Sequence, residues 1–138
     1  MRKWILKIFR NSNSVWIEGK GYRKKILADG NDIEKRDLLL QIVQFRKGEK
    51  LPFHYHLVQS ELFFALDRVS FLINGREVFL DKLDALLCEP GDIHGQPSFP
   101  EEASILVLKI EYPGDKDTYW VDEIDTFTCE RSVYGLYG

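Results

Sequence analysis

The chain has three histidines, and they cluster between His54 and His94. His54 and His56 are two residues apart, a spacing that turns both rings to one face of a β-strand. Glu61 follows shortly after, and His94 stands beside the Pro90-Gly91 turn. Three imidazoles and a carboxylate could converge on one divalent transition metal. Such a donor set suits Fe, Mn, Ni, Zn or Cu and leans away from Ca and Mg. Three neutral imidazoles and one carboxylate would leave a divalent ion with a net charge of about +1. An octahedral shell would keep two positions open for water, dioxygen or a substrate, whereas a structural zinc site closes at four ligands. An isolated H-x-H pair is a weak signal. H-x-H with a nearby carboxylate, a Pro-Gly turn and a third histidine is far more specific. In the competing reading, a histidine in the same cavity serves as acid or base without a metal.

The elements that must position these residues read as strands. Leu38 to Phe45 is strongly apolar, and Leu62 to Leu66, Val69 to Ile73, Arg76 to Leu80, Ala85 to Cys88 and Ala103 to Tyr112 follow it. Asn74-Gly75 is the clearest hairpin signal, because both residues tolerate the positive φ of a type I′ turn. Pro52 places the start of the His-Tyr-His strand after an irregular stretch. Upstream, residues 3–9 read as a short strand, Val15 to Leu27 as a strand with a bulge or a hairpin, residues 29–32 as a turn, and 32–37 as a helical turn or loop. Short strands spaced about ten residues apart, with turn chemistry between them, argue for an all-β sandwich or barrel. Downstream of Asp117 the pattern is mixed: Trp120, Val121 and Ile124 share a helical face, while residues 126–128 alternate like a strand.

Composition frames these readings. A length of 138 residues predicts one domain, residues 1–138, large enough to bury a core. A net charge of −3 offers no basic stripe for nucleic acid, and the short Arg23-Lys24-Lys25 run reads as a solvated strand face. No apolar run approaches a membrane span, and the N-terminal segment lacks the apolar core of a signal peptide. Cys88 and Cys129 form no C-x-x-C pair and read as reduced thiols of a cytoplasmic protein. Cys88 lies in an apolar run, which favours buried packing over a reactive or ligating role.

At the histidine stretch the sequence resembles the cupin superfamily. Its first motif, G-x5-H-x-H-x4-E-x6-G, is met by Gly48, His54, His56 and Glu61; its second, G-x5-P-x-G-x2-H-x3-N, is met by Gly91 and His94. The match spans roughly residues 38 to 112. The resemblance implies a double-stranded β-helix, a small jelly-roll barrel with few short helices and a metal inside, held by His54, His56, Glu61 and His94. Four positions depart: Arg68 and Leu83 replace turn glycines, Glu89 replaces a proline that arrives one residue late, and Ser98 replaces the closing asparagine. The turns at Arg68 and Leu83 are expected to adopt other geometry, with Asp67 or Asp84 accepting the strain.

Gln96, Gln59 and Phe63 are the candidates for supporting the ligands or contacting substrate, with Gln44 and Lys109 behind them. Tyr55, between the two histidines, should point away from the metal. No residue outside the ligand set identifies itself as catalytic. The resemblance permits a metal-dependent enzyme acting on a small organic molecule, as a dioxygenase, decarboxylase, isomerase or lyase. The alternative is a non-enzymatic module that binds a sugar or carboxylate; a storage or scaffold role is a weaker third. A homodimer is expected, with the aromatic ends (Trp4, Trp120, Tyr134, Tyr137) packing on the barrel or on a partner subunit.

Overall fold

The computed structural model describes residues 7–32 and 37–121. Eleven strands in this range form two antiparallel sheets. They are β1 (Ile17–Glu18), β2 (Tyr22–Asp29), β3 (Leu38–Phe45), β4 (Leu51–Tyr55), β5 (Ser60–Ala65), β6 (Val69–Ile73), β7 (Arg76–Leu80), β8 (Ala85–Cys88), β9 (His94–Gln96), β10 (Ala103–Ile110) and β11 (Tyr119–Trp120). One sheet runs β1-β2-β3-β10-β5-β8 and the other β11-β4-β9-β6-β7. The remaining elements are two 3-10 turns, at Asn11–Asn13 and Asp115–Asp117.

Alternation of side chains assembles the interior. Along β3 the burial pattern is strictly alternating, which turns Leu39, Gln41, Val43 and Phe45 inward. β10 contributes Ala103, Ile105 and Val107 to the same face. Aromatic rings close the space between the sheets: Phe45 stacks on Phe99 at 4.3 Å between centroids and meets Phe71 edge-on at 5.6 Å. This apolar cluster reaches the histidines through Phe63, whose ring lies 5.4 Å from that of Phe71 and also meets that of His94.

The hairpin at Asn74-Gly75 has the expected turn, with φ of 50° and 80°. Several boundaries differ from expectation. β4 begins at Leu51 and includes Pro52, and His56 lies just beyond its end. β9 is a strand of three residues within a run that reads as a turn. Lys7 to Phe9 form no strand, and the rest of the 3–9 segment lies outside the described residues. So do residues 33–36 and most of the C-terminal stretch; its described part holds β11 rather than a helix at Trp120.

The departures at the turn glycines resolve differently. Leu83 itself adopts φ 76°, so this leucine carries the left-handed backbone where a glycine was expected. Arg68 does not have positive φ. Asp84 accepts a hydrogen bond from the Asp81 amide at 2.8 Å, and Asp67 accepts one from the Ser104 amide at 2.9 Å.

Candidate metal centre

The four candidate ligands come from both sheets. His54 on β4 pairs in register with His94 on β9, and Glu61 projects inward from β5 of the opposing sheet. His56, at the end of β4, completes the group. Each residue offers one donor atom, and the four donors lie within 4.8 Å of one another. Donors bound to one ion at about 2.1 Å are at most about 4.2 Å apart. The widest pair therefore needs to close by about half an ångström to share an ion.

The far side of each ring is already committed. Nδ1 of His54 donates to the Pro52 carbonyl at 2.8 Å, Nδ1 of His56 to the Asp117 carbonyl at 2.9 Å, and Nδ1 of His94 to the Asp92 carbonyl at 2.9 Å. Donation from Nδ1 leaves the Nε2 lone pair aimed into the cavity, the arrangement that outer carbonyls impose on metal-binding histidines. Nε2 of His56, Nε2 of His94 and Oε1 of Glu61 are buried and have no hydrogen-bond partner. Instead Oε1 of Glu61 contacts Nε2 of His56 and lies 3.5 Å from Nε2 of His94. Unsatisfied acceptors buried against one another are costly unless a cation sits between them. A divalent metal fits that need.

Electrostatics agree. Burial, then the neighbouring His94, lowers the His54 pKa from its usual 6.5 to about 3, which keeps the imidazole neutral and able to ligate. Burial pulls the Glu61 carboxyl up, and hydrogen bonds donated by His56 and then His94 outweigh it and hold the group well below the usual carboxylate range; where those ring nitrogens present lone pairs instead, a cation between the donors exerts that pull. Cys88 pairs in register with Glu61 yet stays in the apolar core; burial pushes its thiol up, and it is not part of the convergent group.

The remaining candidates separate into near and far. Phe63 lines the cavity, with its ring 5.8 Å from that of His94. Lys109 also lines it, as the cross-strand neighbour of Glu61. Gln96 is buried but turned to β6, where its amide donates to the carbonyl and hydroxyl of Ser70 at 2.9 and 3.1 Å. Gln59 is buried beside the ligand loop without lining the cavity. Gln44 accepts a bond from Arg23 at 2.6 Å. Tyr55 stacks on Tyr119 at 5.3 Å, away from the cavity.

Two contributors escape sequence reasoning. Asp117 accepts bonds from the amides of Leu57, Val58 and Gln59 at 2.9 to 3.0 Å, which pins the loop joining His56 to Glu61. Its backbone carbonyl is the one that orients His56. Trp120 pairs with His54 in register, lies 5.0 Å from its ring and walls the cavity, so it packs on the barrel and at the site itself. The cavity itself encloses about 330 Å³.

No family model and no curated protein sequence matches the chain. Solved structures do. KdgF from a Halomonas species aligns over 80% of this chain and 98% of its own, with TM-score 0.67 and 19% identity. The polyketide cyclase RemF from Streptomyces resistomycificus aligns over 85% and 86%, with TM-score 0.68 and 16% identity. An RmlC-like cupin from Shewanella frigidimarina aligns over 78% and 91%, with TM-score 0.64 and 17% identity. The architecture implied by the two histidine motifs is therefore the one the chain adopts, a cupin barrel.

Proposed function

We propose that the protein is a metal-dependent enzyme acting on a small organic molecule, with His54, His56, Glu61 and His94 as the ligands of one divalent transition metal. One observation carries this reading: four donors from two sheets aim at one point, and the three histidines are held by their opposite nitrogens. A closed structural site would not need the cavity of about 330 Å³ that opens beside it. RemF, of the same fold, is a polyketide cyclase, which supports small-molecule chemistry in such a barrel.

A divalent ion held there supplies Lewis-acid polarisation of a substrate oxygen. The chain does the rest. Phe63 and the apolar residues of β3 and β10 give the cavity its apolar wall. Trp120 closes one side against His54. Lys109, beside Glu61 in register and with its Nζ 4.9 Å from the Tyr112 ring centroid, is the candidate to move a proton near the ligands. These features favour proton-transfer chemistry of the isomerase or lyase type.

The test is metal analysis of the purified protein, followed by turnover and oxygen-uptake assays with a panel of small acids, diols and thiols. Stoichiometric metal and a turnover that vanishes in His54→Ala are expected. Saturable binding of a panel member without turnover would instead identify a ligand-binding module.

A further inference from the structure

The Arg23-Lys24-Lys25 run does not lie on one solvated face. Arg23 and Lys25 both point outward over the Trp16 ring, at 4.0 and 4.6 Å from its centroid. Strand alternation turns Lys24 the other way, and it lines the cavity. Lys24 is opposite Val43 in the β2–β3 register, so Gln41 is its diagonal neighbour on the inner face. Diagonal neighbours in a sheet are about 7–8 Å apart at Cα, within reach for long side chains. Gln41 is 4% exposed, lines the same cavity, and its Oε1 has no hydrogen-bond partner. The oxygen is enclosed, so the cavity meets the rest of this side chain, and turning the amide over would present its unpartnered polar group to a ligand.

The charge of the lining is lopsided. Glu61 is the one carboxylate among the described residues that line the cavity, and Lys24 and Lys109 both face it. A divalent ion at the histidines would make the interior more positive still. Such a cavity favours an anion. A volume of about 330 Å³ equals that of roughly eleven water molecules at about 30 Å³ each, room for a molecule of about a dozen heavy atoms.

From these observations we infer that Lys24 and Gln41 form the recognition end of the cavity, and that the ligand is a small hydroxylated carboxylic acid. Lys24 meets the carboxylate. The Gln41 amide meets a hydroxyl, a group that both donates and accepts and so satisfies the amide in either orientation. Oxygens at the other end of the ligand reach the histidine cluster, and only this last contact rests on the function proposed above.

A matched six-carbon series tests the inference. Gluconate carries both groups, sorbitol has the hydroxyls alone, and hexanoate has the carboxylate alone. Calorimetric titration of the metal-loaded protein should show gluconate binding at least tenfold more tightly than either. Lys24→Met should erase the advantage over sorbitol, and Gln41→Leu the advantage over hexanoate, with metal content unchanged in both. Lys24→Gln serves the same purpose if the methionine variant folds poorly. Equal affinity for sorbitol or hexanoate, no binding of any probe, or a full preference surviving in the Lys24 variants overturns the inference. The same titration on metal-free protein separates the two ideas. A gluconate preference that persists without metal and disappears in Lys24→Met supports this site even if the purified protein proves to carry no metal. Bound metal with no preference removes this site and leaves the metal centre standing.

Discussion

The main-chain oxygen of Asp117 accepts a hydrogen bond from Nδ1 of His56 at 2.9 Å, across 61 positions of sequence. The side chain of the same residue accepts from the three amides that lead away from His56 toward Glu61. Those amides hold the Asp117 carboxyl below its usual range against the opposing pull of burial. One residue thus sets the ring of one candidate ligand and the approach of the chain to another. Truncating Asp117 to alanine leaves three amides to find water and frees the His56 loop. Loss of a group bonded directly to a ligand lowers metal affinity by roughly 10–100-fold, and because the carbonyl bonded to His56 survives this truncation the lower end of that range applies. Competition with a chelator should show a drop of that size for Asp117→Ala and a smaller one for Asp117→Asn, which keeps one acceptor. An unchanged affinity would reduce Asp117 to a loop staple.

The pH dependence of stability has a definite sign. Folded His54 resists protonation until about pH 3, while the unfolded chain takes up that proton near its usual 6.5. Between these values the unfolded state binds more protons, so stability rises with pH and falls on acidification, with a slope of up to about 1.4 kcal/mol per pH unit. Glu61, held below its usual 4.5, adds a contribution of the same sign that is present above that value and lost as pH falls through its folded pKa. Thermal melts of metal-free protein at pH 8, 6.5 and 5 should show little change over the first interval and a clear loss over the second. His54→Ala should flatten the second interval.

What is legible in the sequence and what is hidden follow from the range of each interaction. Asn74-Gly75 is legible because a type I′ turn depends on the two residues that form it. The grouping of His54, His56, Glu61 and His94 is legible because strand alternation and a familiar spacing announce it. Asp117 leaves no local trace, since all its contacts here are to residues about sixty positions earlier. The inward side of Lys24 is hidden because the neighbouring glycines, Gly19 and Gly21, obscure the phase of β2. At Leu83 the expected glycine is gone but its backbone conformation remains, so the turn overrides local preference.

The outer face of the six-stranded sheet carries an apolar field. Leu106 is flanked in register by Ile42 and Phe64, Leu108 by Leu40 and Leu62, and Leu62 in turn by Leu87. Leu87 is 48% exposed and Ile110 39%. Contiguous apolar surface of this kind on a globular domain marks an interaction face, and a two-fold pair is the commonest way to cover it. Light scattering at micromolar concentration is expected to give twice the chain mass, reverting to one chain mass in Leu108→Glu. A wild-type monomer would refute the pairing.

Gly95 and Gly48 offer a paired test of what holds His94 in place. A Cβ on Gly95 would come within 2.8 Å of the Leu51 carbonyl oxygen and 3.0 Å of the Phe53 Cα, both main-chain atoms of the strand that carries His54. That strand cannot yield without moving β4 away from β9, which are the two strands that bring His54 and His94 into register. Overpacking of this sort costs about 1–3 kcal/mol. Gly48 is different: it has φ 81° but nothing within 4 Å of where a methyl group would stand, so alanine there meets only backbone strain of about 1–2 kcal/mol. The two substitutions should therefore lower the melting temperature to similar extents. Only Gly95→Ala should also weaken metal retention, because only there does relief of the clash separate two of the four donors. Equal metal affinity in both variants would mean that the donors are not held by the β4–β9 contact.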